Sequence, residues 1–211
     1  MTYSLNETEA LCRKAARGAG FGWGEAETAG RAARWLHRQG LPGADVLAKA
    51  LETKGVAPGV HGAQWGGSDG LLCAIRVGTA LADHGHVIAG SGIKVGAVNA
   101  PLLLLGFLSV ASFVTGRSLE VRAPQGRAVV MKDDLELSGR FAPADCVCVT
   151  VVDAPRDLRS HLSRADIPPD VYARLDRFAQ LTYAPATEAS RLAGAGDGTG
   201  NRTGAGRSDN D

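Results

Sequence analysis

The spacing of apolar side chains switches between helical and strand periods along the chain, and each switch marks an element. In "SLNETEALCRKAARGAG" Leu5, Thr8, Leu11, Cys12, Ala15 and Ala19 recur at helical intervals, and Ser4 followed by Glu7 has the form of a capping box. A first helix therefore starts after Ser4. A second is predicted from Trp23 to Gln39, with Glu25 and Glu27 in its first turn, Arg34, His37 and Arg38 toward its end, and Gly40 as its cap. The inward positions of both (Ala15, Ala19, Ala26, Ala29, Gly30, Ala33) are small, so the axes can approach closely as a helical hairpin, with Trp23, Trp35 and Leu36 as its apolar bulk. A shorter helix, from Ala44 to Glu52, follows the "LPG" turn.

From Thr53 to Gly70 there are six glycines in eighteen residues and no period, which describes a functional loop or a disordered one; His61 and Trp65 tilt the reading toward order. "LLCAIRV", "HVIAG" and "GIKVGAV" then read as short strands around the helical or turn segment "GTALADHG". Asn99 and Pro101 open a central buried helix, "PLLLLGFLSVASFV", which is shorter than the roughly 20 residues needed to cross a bilayer. Between Ser118 and Val152 β-formers alternate or cluster around "PQG", "DD" and "RFAPA", the pattern of an antiparallel meander. Two C-terminal helices are predicted, about Asp157 to Arg164 and about Asp170 to Tyr183. Helices at both ends with hairpins between them define an α+β fold. The expected organisation is one domain over residues 1–195, followed by a flexible Gly-rich tail over 196–211.

Composition adjusts this picture at few points. A chain of 211 residues, 45% hydrophobic, can bury one sizeable core. Basic side chains number 23 against 22 acidic ones, so no global field draws the chain to nucleic acid or to a membrane surface. A small anionic metabolite and a homo-oligomeric partner stay open. The first dozen residues carry Glu7 and Glu9 and no unbroken apolar stretch, which argues against a secretory signal and for a cytoplasmic protein. Cys12, Cys73, Cys146 and Cys148 lack C-x-x-C spacing and are expected as free thiols.

Candidate chemistry is sparse. "AGAGDGTGNRTGAG" has glycine at alternate positions 194 to 200, but a phosphate-cradling loop needs a strand before it and a helix after it, and neither is predicted here. "GGSDG" fits Gly-x-Ser-x-Gly, with Asp153 and His161 following in hydrolase order, yet no strand is predicted directly upstream to hold a nucleophile elbow. In "DHGH" His84 and His86 share one side if extended, and Asp83 and His61 could complete a metal set; two histidines in a polar turn is the alternative, and no metal is expected. Arg76, flanked by apolar residues, needs either an acidic partner such as Asp83 or an anionic ligand. Cys146 and Cys148 fall on one face of a strand and read as core packing. Arg31, Arg34 and Arg38 form a stripe that reads as a solvated face paired with nearby glutamates.

The segments "SLNETEALCRKAARGAGFGWGEAETAGRAARWL" and "YAPATEASRLAGAG…SDND" resemble a family of proteobacterial proteins known only as a domain of unknown function, a likeness that extends over nearly the whole chain. Tails of that family look like "SRLAGAGAGLSDND", which "DGTGNRTGAGR" interrupts here. The resemblance implies a stand-alone cytosolic bacterial protein and supplies no activity, cofactor or catalytic residue. Glu188, Ser190 and Arg191 in "PATEASRLAG" make a polar set unlike a featureless linker and are expected to dock on the domain. The candidate ligand-binding residues are thus Arg76, Asp83, His84, His86, Glu188, Ser190 and Arg191. They would serve a small-molecule metabolic enzyme or its accessory subunit; a non-catalytic interaction or oligomeric binding protein is the alternative, and the cofactor is left open.

Overall fold

The computed structural model describes residues 1–67, 70–153 and 161–183. In chain order the elements are β1 (Thr2–Ser4), α1 (Leu5–Gly18), α2 (Trp23–Arg38), α3 (Gly43–Thr53), β2 (Gly59–His61), β3 (Gln64–Gly66), α4 (Ala74–Asp83), α5 (Gly85–Ser91), β4 (Ile93–Val95), α6 (Pro101–Thr115), β5 (Ser118–Ala123), β6 (Gly126–Val130), β7 (Leu135–Gly139), β8 (Val147–Val152), β9 (Arg164–Asp166) and α7 (Pro169–Gln180). This is an α+β fold. A mixed, mostly antiparallel sheet runs in the order β2-β3-β4-β8-β5-β6-β7, with β3 and β4 its parallel pair, and β1 joins β9 in a separate antiparallel ribbon. Strands β5, β6 and β7 form the expected meander, and β8 returns to lie between β5 and β4.

The capping box at α1 is present in both directions: Glu7 N–H donates to Ser4 Oγ at 3.2 Å, and Ser4 N–H donates to Glu7 Oε2 at 2.7 Å. Helices α1 and α2 pack as the hairpin that their small inward faces predict. Trp35 and Leu36 are buried in it, whereas Trp23 is 72% exposed, correcting its placement in the core. Trp23 is the first residue of α2, directly after the Phe21–Gly22 turn, and its ring meets the Arg17 guanidinium of α1 at the surface instead of the core.

Three further expectations are corrected, and the described part of the glycine-rich loop takes the ordered form toward which His61 and Trp65 tilted the reading. From Ala74 onward "LLCAIRV" folds into α4, and "HVIAG" folds within α5, instead of strands, because Ala74, Ile75, Val77, Gly78 and Leu81 share one helical face that packs on α6; Leu72, ahead of the helix, makes isolated parallel bridges to Val56 and Val98. The glycine-rich loop holds the β2–β3 hairpin, whose Trp65 is 2% exposed and donates its indole N–H to Gly62 O at 3.1 Å. Residues 161–163 are not helical and Arg164–Asp166 is a strand, so the helix predicted to reach Arg164 does not; residues 154–160 lie outside the described residues. Cys148 points away from the core, which β8 contacts through Val147 and Val149, and Cys146 precedes the strand and is exposed.

Helix α6 occupies the centre, between α2 and α4 on one side and β5 and β6 on the other. A Cβ on Gly106 would sit 2.6 Å from Ala32 O and 2.7 Å from Ala32 Cα, so α2 and α6 touch backbone to backbone. A Cβ on Gly18 would likewise collide with the Phe178 carbonyl, so α1 and α7 are in equally close contact. At the turn from α2 into α3, the Ala44 amide donates to His37 Nε2 at 3.0 Å inside the protein, where His37 is 6% exposed. Burial pulls this imidazole below its ordinary value, and the opposing attraction of Asp166 is weaker.

Two predictions follow from these contacts. Gly106→Ala should destabilise by about 1 to 3 kcal/mol through overpacking, whereas Gly90→Ala on α5, whose added Cβ meets nothing within 4 Å, should be neutral or stabilising. Urea midpoints compare them, and equal effects would dispose of the close approach. For His37 the unfolded imidazole gains a proton near pH 6.5, while the folded one, with its value depressed, gains it only at lower pH. The unfolded chain then binds more protons, so stability should fall as pH drops below about 6.5. Midpoints at pH 7.5 and 5.5 should differ in the native protein and differ less in His37→Gln.

Candidate functional site

Helix α1 buries Thr8, Cys12, Ala15 and Ala16, which leaves Arg13, Lys14 and Arg17 on its flank beside the start of α2 and the turn that ends α7. Together with Trp23, Glu27, Leu181, Thr182 and Tyr183 they line an open groove of about 640 Å³. Two of the three cations are oriented by contacts of their charged ends. The Arg17 guanidinium lies 4.5 Å from the centroid of the Trp23 ring, and its Nη1 donates to Phe21 O at 2.6 Å. Lys14 Nζ donates to the Tyr183 hydroxyl at 3.2 Å and stands 5.6 Å from the ring centroid, so its contact is with the hydroxyl edge and not the ring face. The Arg13 stem packs beside Gly30, where an added Cβ would sit 3.1 Å from Arg13 Cβ.

None of the three has a carboxylate partner among the described residues. Glu27, on the groove wall, is held by Arg31 at 2.6 Å, and Glu9 by Arg34 at 3.1 Å. Among the described residues the groove therefore carries positive charge without a matching carboxylate, and two of its three cations, Lys14 and Arg17, are held in place. Sequence reading missed it. The cations in "CRKAAR" were visible on α1, but the wall that turns them into a site comes from Tyr183, at the other end of the described chain.

The residues that the sequence singled out are placed elsewhere. Arg76 lies on α4 and is about half exposed, with its Nε 3.7 Å from Glu25 Oε1 and its guanidinium 6.0 Å from the Phe21 ring. Its acidic neighbour is Glu25, not Asp83, which lies at the far end of the same helix. His84 and His86 do fall together, ring centroids 6.0 Å apart, but on the α4–α5 junction and not on an extended strand. His84 also meets the edge of Trp65, and its Nδ1 is 2.8 Å from Ala80 O. None of these four residues lines a described cavity. Glu188, Ser190 and Arg191 lie outside the described residues.

The hydrolase order is not assembled from what is described. A strand, β3, does precede "GGSDG", but Ser68 and Asp69 lie outside the described residues, Asp153 is 96% exposed beside Arg117, and His161 faces Asp134 instead. His161 Nε2 is 3.1 Å from Asp134 Oδ1 and its Nδ1 is 3.3 Å from Arg38 Nη2, while Arg38 Nη1 donates to Asp133 Oδ1 at 2.8 Å. With both ring nitrogens engaged, and with the Leu162 amide donating to Arg38 O at 3.0 Å, the cluster fastens residues 161–162 to α2. Arg31, Arg34 and Arg38 thus each have a carboxylate partner.

Residues 3–75 match the model of a family described as a protein of unknown function (DUF3726), a stretch that runs from β1 into the start of α4 and includes the α1 and α2 walls of the groove. No curated protein and no solved structure matches the chain. Among the described residues no helix is long and apolar enough to cross a membrane, and no group of three or more His, Cys, Asp or Glu could hold a metal ion.

The cysteines divide by environment. Cys12 is wholly buried and its thiol is pushed up to about 12 by desolvation, with Glu9 adding to the effect. Burial also raises the Cys73 thiol, against hydrogen bonds from the Arg76 and Ile75 backbone amides that lower it. Cys146 is exposed, and Cys148 stands on the outer sheet face opposite Lys94 and Arg122. An aromatic disulfide reagent at pH 8 should therefore titrate two thiols in the native protein and four after denaturation. Cys146→Ser and Cys148→Ser should each remove one from the native count. Rapid reaction of all four would contradict the packing of α1.

Proposed function

We propose that the protein is a non-catalytic binding protein or accessory subunit, and that the groove between α1, α2 and α7 takes a small anionic metabolite. The observation that carries this reading is the set of Arg13, Lys14 and Arg17, without a carboxylate partner among the described residues, around a cavity of metabolite size. The lining argues for binding over catalysis. Among its described residues there is no histidine, cysteine or serine, Lys14 and Tyr183 are hydrogen-bonded to each other at 3.2 Å, Thr182 donates its hydroxyl to Ala179 O at 2.7 Å, and the one carboxylate is engaged by Arg31. A cytoplasmic setting agrees with the four free thiols.

Inorganic pyrophosphate is the probe. Calorimetric titration of the full chain at low salt should show binding that weakens as salt rises, because the attraction is between exposed charges. Arg13→Ala and Arg17→Ala should each weaken it by roughly tenfold, as expected for the loss of one charge-assisted hydrogen bond of about 1.5 kcal/mol. Arg117→Ala, on a different face, should leave it unchanged. If pyrophosphate fails to bind, or if the α1 variants bind it like the native protein, the reading is wrong.

A further inference from the structure

The groove is larger and more aromatic than an inorganic anion requires. At about 640 Å³ it falls within the range of roughly 300 to 1,000 Å³ typical of sites for drug-sized ligands. Its two aromatic residues are also unusually open. Trp35 and Trp65 are 8% and 2% exposed, as expected for indoles in a folded domain, whereas Trp23 is 72% exposed and Tyr183 56%. Arg17 rests on one face of the Trp23 ring and leaves the rest of the indole to solvent, and Lys14 holds Tyr183 by its hydroxyl without covering the ring face. Cationic ends thus stand beside bare π-faces.

Resting on the anion reading above, we propose that the ligand is a nucleoside diphosphate, its two phosphates among Arg13, Lys14 and Arg17 and its base stacked on Trp23 or Tyr183. The charge suits this class, since a nucleoside diphosphate carries about three negative charges at neutral pH and the groove offers three cations without a carboxylate partner among the described residues. The described lining also predicts how the base is read. No asparagine, glutamine or free carboxylate faces the groove, so base edges go unread and recognition falls on the π-face, which every base presents. Binding should be tolerant of the base and demanding of the phosphates.

The test titrates the full chain with ADP, GDP and inorganic pyrophosphate under the same conditions, following heat and tryptophan fluorescence. ADP should bind about tenfold or more tightly than pyrophosphate, a gain in the range of one base–aromatic stack. GDP should bind within a few-fold of ADP, and both should quench the Trp23 emission that is missing in Trp23→Phe. Trp23→Leu or Tyr183→Leu should abolish the advantage of ADP over pyrophosphate measured in the same variant, even where freeing Arg17 or Lys14 lowers the affinity for both, and Trp23→Phe and Tyr183→Phe should retain that advantage. Equal affinities for ADP and pyrophosphate would overturn the nucleotide assignment and leave the anion reading standing. So would an ADP advantage indifferent to both leucine variants. Absence of pyrophosphate binding would instead remove the reading on which the assignment rests.

Discussion

Helix α6 has no charged or amide side chain in its fifteen residues, and a helix of that kind has to be covered on nearly all sides. The fold is arranged around this requirement. Helices α2 and α4 cover one side and the β5–β6 sheet the other, and only Val110, Phe113 and Val114 reach solvent in any quantity. Lys132 rests over Phe113 at 4.5 Å from the ring centroid, its stem covering part of that surface. Because Gly106 brings α6 against the Ala32 backbone, α2 is fixed directly on the central helix, and α1 is fixed in turn through the small residues that it shares with α2. The start of α6 is secured by Asn99, 4% exposed, whose Oδ1 accepts from Ala74 N–H at 2.9 Å while its Nδ2 donates to Ala50 O at 3.2 Å and Thr53 Oγ1 at 2.9 Å. One buried amide therefore joins the end of α3, the start of α4 and the approach to α6. Its three bonds satisfy groups that would be strongly unfavourable if left unpaired in the interior.

Elements governed by local rules were legible in the sequence. Ser4 and Glu7 located the start of α1, Pro101 and the apolar run located α6, and alternation located the meander, because each signal is complete within a few residues. "LLCAIRV" misled because a short apolar run has no distinct period of its own, and its helical character emerges only when Gly78 and Leu81 downstream are read with it. The β2–β3 hairpin was hidden for another reason. Its strands are three residues long and rich in glycine, and β3 is held by parallel pairing to β4, about thirty residues later in the chain. Cys146 and Cys148 have the spacing of one strand face, but β8 starts after Cys146, and alternation alone does not say which face of a strand meets the core.

The site was harder to see because it depends on pairing and not on composition. Two groups of three cations lie on the helical hairpin. On α2, Arg31, Arg34 and Arg38 are matched by Glu27, Glu9 and Asp133, one on the same helix, one on α1 and one in the β6–β7 turn. On α1, Arg13, Lys14 and Arg17 have no such partner among the described residues; Arg17 is held by an aromatic ring and a carbonyl, and Lys14 by a hydroxyl. A balanced net charge conceals this difference, since both groups contribute equally to the sum. Only the tertiary arrangement separates a neutralised stripe from an electropositive groove.

The same arrangement bears on how the groove would select the anion proposed for it while remaining open to water. Its walls are helices, and the contact of Gly18 with the Phe178 carbonyl sets the distance between α1 and α7 without an intervening side chain that could change rotamer. Arg17 is held between the Trp23 ring and Phe21 O, and Lys14 is held at the Tyr183 hydroxyl, so two of the three cations are ordered before any ligand arrives. Each long side chain ordered only on binding would subtract about 0.5 to 1.5 kcal/mol from affinity. Side chains already held in place largely avoid that loss, and this compensates for electrostatic attraction that solvent and salt weaken at an exposed surface. Aromatic contacts therefore do two things here. They position the cations against one part of each ring, and they leave the remaining ring surface available, so that fixing the charges does not consume the apolar area beside them.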